Sequence, residues 1–242
     1  MLFPLTDDNP TRQRPFATYL IIGLNLVVWA SFQRLGFDPG FSESLCRFGL
    51  VPGDLLGTID SGSKLRIAQN LICQFDGQTD LITLVSSMFM HGGWLHLIGN
   101  MWFLWVFGDN VEDAMGPLRF ILFYLLSGLV ASAAQIATDT SSIIPMVGAS
   151  GAIGGVMGAY ALLYPRARVR TLVFLGFFIT TLSIPAFFIL AWWFVVQLVS
   201  GLPTLGQQGG GVAFWAHIGG FLAGILLVTL FRQRPSRTIG GT

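Results

Sequence analysis

Six stretches of the chain are so apolar that each suits a helix crossing a membrane. Such a helix needs about 20 predominantly apolar residues to span the hydrocarbon core. Only 10% of the residues are charged, against about 25% in soluble domains, so the chain cannot cover its own surface in water. We therefore predict an all-α membrane protein of six spanning helices whose main solvent is the lipid bilayer. The helices are placed at 16–35, 94–113, 118–138, 150–165, 183–202 and 213–231.

The placement of arginines predicts the orientation of these helices, because Lys and Arg concentrate on the cytoplasmic side. The connections at 139–149 and 202–212 contain neither residue type. With both termini in the cytoplasm, these two connections lie outside and the arginines of the short segments lie inside. The inner arginines are then Arg12, Arg14, Arg119, Arg166, Arg168, Arg170, Arg232, Arg234 and Arg237.

The predicted spans and their orientation divide the chain into a cytoplasmic segment (1–15), a six-helix membrane domain (16–232) and a cytoplasmic tail (233–242). A long polar loop at 36–93 follows the first helix and includes short helices. The glycine-rich loop 202–212 is a candidate lid. In the apolar run before it, Pro185 separates an interfacial piece from the fifth spanning helix.

Charge and cysteine content limit the partners and the compartment. A net charge of +1, without a basic stripe beyond the helix ends, argues against a nucleic-acid partner. Cys46 and Cys73 both lie in the long first loop. If that loop faces an oxidising compartment they can form a disulfide, and otherwise they are two unrelated apolar thiols.

Two polar residues on different helices fall at one depth. Ser150 is 16 residues before Arg166, and His217 is 15 residues before Arg232. At 1.5 Å per residue, both lie about 23 Å from the inner boundary, several Å beneath the outer surface. Buried polar groups in a membrane are costly and usually functional. Taken alone, Ser150 is better explained by a close helix contact or by a hydrogen bond to the preceding turn.

Glycines follow both residues along one helix face. Gly154 and Gly158 come four and eight residues after Ser150, and Gly220 and Gly224 come three and seven after His217. Faces of this kind allow two helices to approach closely. We therefore expect the serine hydroxyl within hydrogen-bond reach of the imidazole, as activation of a nucleophile by a general base requires.

His96 and Asn100 are four residues apart, on one face of the second helix. Donors there can stabilise an oxyanion in a site shielded from lipid. The alternative for Asn100 is an ordinary interhelical hydrogen bond. His91 is expected at the membrane surface, before the second helix. Trp192, Trp193 and Phe194 on the fifth helix are either a lateral gate or an interfacial aromatic belt.

Four short motifs, in order along the chain, together resemble the rhomboid family of intramembrane serine proteases. Each would be weak alone, but the set covers nearly the whole chain and is highly specific. The motifs are HGGWLHLIGN with His96 and Asn100, GDNVEDAMG with Gly108, Glu112 and Gly116, GASG with Gly148, Ser150 and Gly151, and AHIGGFLAG with His217, Gly220 and Gly224.

The resemblance implies a Ser–His dyad without an orienting acid. Ser150 would be the nucleophile and His217 the base, with the Ser150 amide, His96 and Asn100 holding the oxyanion. The implied substrates are membrane proteins with a transmembrane helix, cut in or near the outer part of that helix. In one respect the chain departs from some rhomboids: Gly154 stands where they place an aromatic residue beneath the imidazole, so the sequence names no brace for His217.

The competing interpretation is a catalytically inactive relative that binds membrane clients. A zinc site is not predicted, because none of the three histidines has the His-Glu-x-x-His spacing, and no cofactor or metal is expected. The short tails favour a minimal bacterial form, a multi-pass protein of the cytoplasmic membrane whose active site opens to the extracytoplasmic side.

Overall fold

The computed structural model describes residues 2–68, 71–75, 80–175, 178–206 and 211–233. Within these ranges the chain is mostly helical, and a helix lies in each of the six predicted apolar segments. The helices are α1 (Phe16–Ser31), α2 (Gly40–Phe48), α3 (Pro52–Leu55), α4 (Thr83–Ser86), α5 (Trp94–Met115), α6 (Pro117–Ile136), α7 (Ser150–Leu163), α8 (Ala186–Gly201) and α9 (Phe214–Phe231).

Three helices in the described ranges are long and apolar enough to cross a membrane by length and composition. They are Pro117–Ile136, Phe214–Phe231 and α8 with the turn after it, Ala186–Thr204. The helices α1 and α7 are apolar but shorter. With 14 residues, α7 is only about 21 Å long. All of its residues from Gly151 to Tyr160 are buried. Protein rather than lipid therefore surrounds α7, so the bilayer thickness does not set its length.

Contacts between distant segments show that the helices alternate in direction. Arg12, just before α1, lies 3.1 Å from the Asp113 carboxylate near the end of α5. Gln233, just after α9, donates to the Met115 carbonyl oxygen at 3.1 Å. Between α5 and α6, Gly116 adopts a φ of +81°, which a residue without a Cβ tolerates. The start of α1 and the ends of α5 and α9 thus lie at one end of the bundle.

A three-stranded sheet lies at that end, so the all-α prediction is wrong here. Its strands are β1 (Leu2–Asp7), β4 (Arg168–Leu175) and β5 (Phe178–Pro185), all antiparallel with β4 central. The strands β4 and β5 are rich in Val, Ile and Thr, which favour a pleated surface over a helix. The predicted interfacial piece before Pro185 is therefore a strand, and α8 begins directly after that proline.

The long first loop has its own small structure. A two-stranded hairpin of β2 (Lys64–Ala68) and β3 (Leu71–Gln74) packs beside α2. A disulfide joins Cys46 of α2 to Cys73 of β3, which decides between the two interpretations of the cysteines. The loop is tied to the segment before α7, since Leu50 and Met146 exchange backbone hydrogen bonds of 3.0 and 2.7 Å.

Candidate active site

Ser150 and His217 face each other across the contact between α7 and α9. Ser150 is the first residue of α7, and His217 lies in the first turn of α9. The Ser150 Oγ is 2.8 Å from the His217 Nε2. At this distance an imidazole nitrogen can accept the hydroxyl proton.

The two helices touch through backbone at the glycines. A Cβ placed on Gly158 would lie 2.1 Å from the Phe221 carbonyl oxygen. A Cβ placed on Gly224 would lie 1.9 Å from the Gly155 carbonyl oxygen. Non-bonded carbon and oxygen atoms do not approach each other so closely, so even an alanine at either position would force the two helices apart. Glycine at these positions is what allows α9 to lie against α7.

Gly154 also lies within this contact, so no side chain from position 154 reaches the imidazole. A Cβ on Gly154 would lie 3.0 Å from the His217 carbonyl oxygen, so any side chain there would press on the backbone of α9. One turn nearer to Ser150, a Cβ on Gly220 would lie 2.0 Å from the Gly151 carbonyl oxygen. Gly151 is itself pressed against α6, where its Cβ would be 2.6 Å from that of Ala131. The imidazole must therefore be held from another side.

That side is α8. The Oε1 of Gln197 lies 2.7 Å from the His217 Nδ1, and Gln197 is buried. One turn earlier, the Trp193 ring packs against the imidazole with 5.8 Å between ring centroids. The sequence interpretation missed Gln197. The available signal was one amide within an otherwise apolar helix, AFFILAWWFVVQLVSG, a position at which polar groups are usually functional.

An open space lies between the Ser150 Oγ and the imidazole of His96. The Gly92 N–H donates to the His96 Nδ1 at 3.2 Å, so the proton of the neutral ring is on Nε2. Gly148 has a φ of +132°, and a Cβ there would lie 2.7 Å from the His96 Nε2 and 3.5 Å from the Ser150 Oγ. A side chain at 148 would fill that space. Its absence leaves the Nε2–H free to point at a bound group.

Asn100 supplies a second donor on the same helix as His96. Its Nδ2 is buried and has no hydrogen-bond partner among the described residues. Both residues line the same cavity as Ser150 and His217. A buried donor without a partner is costly, and an oxyanion bound in the cavity would satisfy it. The interhelical hydrogen bond considered as the alternative is not formed by the Asn100 Nδ2 in the described part of the chain.

The cavity above the dyad has a volume of about 740 Å³. Thr204, Gly211 and Val212, from the candidate lid 202–212, are among its lining residues. Residues 207–210 of that loop lie outside the described ranges. The three aromatic residues proposed as a gate or a belt differ in their surroundings. Trp193 lines the cavity, Phe194 packs on Phe221 of α9, and the Trp192 side chain is 54% exposed on the surface of the helix bundle.

The motif containing Glu112 lies at the end of α5 that is far from His96, and it has a structural role. The Glu112 Oε1 accepts the Ala17 N–H at 2.8 Å, and its Oε2 accepts the N–H and hydroxyl of Thr18 at 2.7 and 2.8 Å. These amides belong to the first turn of α1, which has no side-chain cap of its own. One turn away, a Cβ on Gly108 would press on Thr18 at 3.0 Å. The motif therefore caps α1 and allows it to approach α5.

His91 is fully buried just before α5, and its ring packs edge-to-face on that of His96 at 5.1 Å. Gln33 fixes its backbone with hydrogen bonds of 2.6 and 2.8 Å. Both ring nitrogens lack a hydrogen-bond partner in the described part of the chain. Burial, followed by the neighbouring His96, lowers the pKa of His91 to about 3. At neutral pH the His91 ring is therefore uncharged, and it packs against the His96 ring without placing a positive charge beside it.

Comparison with known proteins identifies the family. A family model of the rhomboid domain matches residues 78–234. The chain is 33% identical to RHOMBOID-like protein 5 of Arabidopsis thaliana, over 89% of this chain and 67% of that protein. It is 30% identical to the rhomboid protease GluP of Bacillus subtilis, over 87% of this chain.

A third relative is rhomboid protein 1, mitochondrial, of Saccharomyces cerevisiae, which is 28% identical over 64% of this chain. The chain spans 43% of the yeast protein and 34% of GluP. The family model covers more than half of the chain, and the match to the plant protein covers most of it. The chain is a member of the rhomboid family of membrane proteins.

Proposed function

We propose that this chain is an intramembrane serine endopeptidase. The observation that carries the proposal is the 2.8 Å separation of the Ser150 Oγ and the His217 Nε2, beneath a cavity large enough for a peptide segment. The name of one relative, the rhomboid protease GluP, supports the same reaction class. Neither ring nitrogen of His217 contacts a carboxylate in the described residues, which fits a dyad without an orienting acid.

In the proposed reaction, the His217 Nε2 takes the hydroxyl proton as the Ser150 Oγ attacks a peptide carbonyl carbon. We propose that the developing oxyanion binds at the N-terminus of α7 and accepts hydrogen bonds from the Ser150 N–H, the His96 Nε2–H and the Asn100 Nδ2–H, since all three residues line the same cavity. His217 then gives the proton to the leaving amine, and the acyl group stays as an ester on Ser150. Water attacks that ester, with His217 accepting its proton and returning one to the Ser150 Oγ.

The substrates we propose are membrane proteins with a transmembrane helix, cut in the outer part of that helix. A helix hides its carbonyl groups in hydrogen bonds, so helix-breaking or small residues near the cut should favour cleavage. The proposal includes six membrane crossings with both termini in the cytoplasm, for which the alternating helix directions and the arginine placement are the support.

The position of the disulfide supports an outward-facing active site. The backbone pair of Leu50 and Met146 ties the disulfide-bonded loop to the segment just before Ser150. Disulfides persist in oxidising compartments, so we place the Ser150 end of the bundle on the extracytoplasmic side. The bacterial cytoplasmic membrane stays a prediction, since relatives come from a bacterium, yeast mitochondria and a plant.

Fluorophosphonate labelling of the detergent-solubilised protein tests the proposal. We expect the wild type to be labelled and both Ser150→Ala and His217→Ala to be unlabelled. Ser132→Ala is the matched control, because Ser132 is also buried but outside the dyad, and it should label like the wild type. A folded wild-type protein that takes no label would refute the protease and favour a client-binding relative.

A further inference from the structure

The base of the dyad is hydrogen-bonded on both sides. The His217 Nε2 meets the Ser150 Oγ at 2.8 Å, and the His217 Nδ1 meets the Gln197 Oε1 at 2.7 Å. An imidazole accepts a hydroxyl proton at Nε2 only if its own proton is on Nδ1. In serine proteases of the triad type, a buried carboxylate fixes that tautomer. Here the group at that position is an amide oxygen.

We propose that Gln197 is the positioning residue of the active site, an inference that rests on the proposed function. Its Oε1 accepts the Nδ1–H and so keeps the Nε2 lone pair directed at Ser150. Gln197 is only 7% exposed, so water does not compete strongly for the bond. Because the amide is neutral, it orients the ring without adding a charge that would favour the imidazolium.

The placement of Gln197 makes the alignment of the base depend on α8. Trp193, one turn before Gln197, packs on the same imidazole. Phe194 packs on Phe221 of α9, with ring centroids 4.9 Å apart. Since α7 and α9 meet backbone to backbone, they cannot adjust independently to hold the ring. A displacement of α8 away from α9 would remove both the hydrogen bond and the ring contact, and the dyad is competent only while α8 is packed.

Substitutions at Gln197 separate orientation from packing. In Gln197→Leu the volume is kept and the acceptor is lost. We expect kcat to fall about 10- to 100-fold with KM changed less than about twofold, because only the base is affected. In Gln197→Glu the acceptor returns with a charge. We expect kcat to recover most of the loss and the acid limb of the kcat/KM profile to move to higher pH.

Val199→Leu is the matched control on α8. Val199 is 65% exposed, so a larger side chain there leaves the site untouched, and wild-type kinetics are expected. Activity is measured on a single-span substrate fused to a reporter, together with the rate of fluorophosphonate labelling. A substrate-independent readout comes from ¹⁵N NMR of histidine-labelled protein, in which ring shifts identify the protonated nitrogen. Since the chain has only three histidines, His217→Ala assigns the signal.

The two readouts separate the inference from the proposed function. A wild-type His217 protonated at Nδ1 that becomes a tautomer mixture in Gln197→Leu, with slower labelling, supports the positioning role. A folded Gln197→Leu protein with wild-type kcat, pH profile and tautomer overturns it, even if Ser150 is the nucleophile. If the wild type is never labelled, the protease proposal fails, whereas the ¹⁵N tautomer still decides whether Gln197 orients the ring.

Discussion

Replacing Glu112 by Gln should destabilise the fold far from the active site. The two carboxylate oxygens accept three hydrogen bonds from Ala17 and Thr18, and Glu112 is 3% exposed. The least costly orientation of a glutamine keeps its oxygen on the two Thr18 donors and turns its NH₂ against the Ala17 N–H. One charge-assisted bond is then lost and two donors face each other. At about 1.5–3 kcal/mol per charged bond, we expect a cost of about 2–4 kcal/mol.

Thr18→Val is the matched comparison, because it removes only the hydroxyl donor and leaves both backbone amides bonded. Its expected cost is about 1.5 kcal/mol, the low end of the same range, because the oxygen that loses the hydroxyl still accepts the Thr18 N–H. Unfolding is followed by circular dichroism in mixtures of a mild and a denaturing detergent, and hydrogen exchange reports on the amides of Ala17 and Thr18. Those amides should exchange faster in Glu112→Gln, while fluorophosphonate labelling of Ser150 in the folded fraction is kept. A Glu112→Gln protein as stable as Thr18→Val would refute this account of the cap.

Three further predictions concern other parts of the fold. Gly224→Ala should cost about 3 kcal/mol or more and abolish labelling, because its Cβ would overlap a carbonyl oxygen of α7 at 1.9 Å. Gly23→Ala, with nothing within 4 Å, should change stability by less than about 1 kcal/mol; equal effects in a detergent unfolding assay would contradict the helix contact. Cys73→Ser should cost about 3–4 kcal/mol, since it opens a loop of sequence separation 27; alkylation before and after reduction verifies the bond, and a neutral substitution would contradict it. Because the pKa of His91 is lowered to about 3 in the folded protein, only the unfolded chain binds this proton between about pH 6.5 and 3. The free energy of unfolding should therefore decrease as the pH is lowered, by up to about 1.4 kcal/mol per pH unit. His91→Phe should make the free energy of unfolding less dependent on pH in this range, and an unchanged dependence would contradict this.

The sequence predicted that Ser150 and His217 lie within hydrogen-bond reach because the signals for their contact are local. Ser150 and His217 each begin a run of glycines with helical spacing, and this spacing alone indicates which face of each helix meets its neighbour. Glu112 and Gly108 were recognised through a motif, although Glu112 and its partner Thr18 are 94 residues apart along the chain. A motif identifies such residues, but only the packed helices show what they do.

Two features were not predictable in the same way. The role of Gln197 depends on how far α8 is rotated around its axis, which an almost uniformly apolar helix does not encode. The sheet was missed because β1 and β4 are far apart in the chain, and each strand alone reads as a short apolar segment beside a helix. Their β-branched residues are a weak signal where an apolar run also suits a membrane interface.

The pairing of β1 with β4 sets an order of events during synthesis. Leu2 pairs with Val173, so β1 leaves the ribosome without its partner, which follows only after about 170 more residues have been added. At about 5–20 residues per second, this delay is roughly 10–30 s. The helices α1 to α7 have been made by then, so the sheet closes only after they have formed, and it joins β1 to a strand in the later half of the sequence. A bulky fusion before β1 should therefore leave the insertion of α1 to α7 unaffected and delay the pairing of β1 with β4.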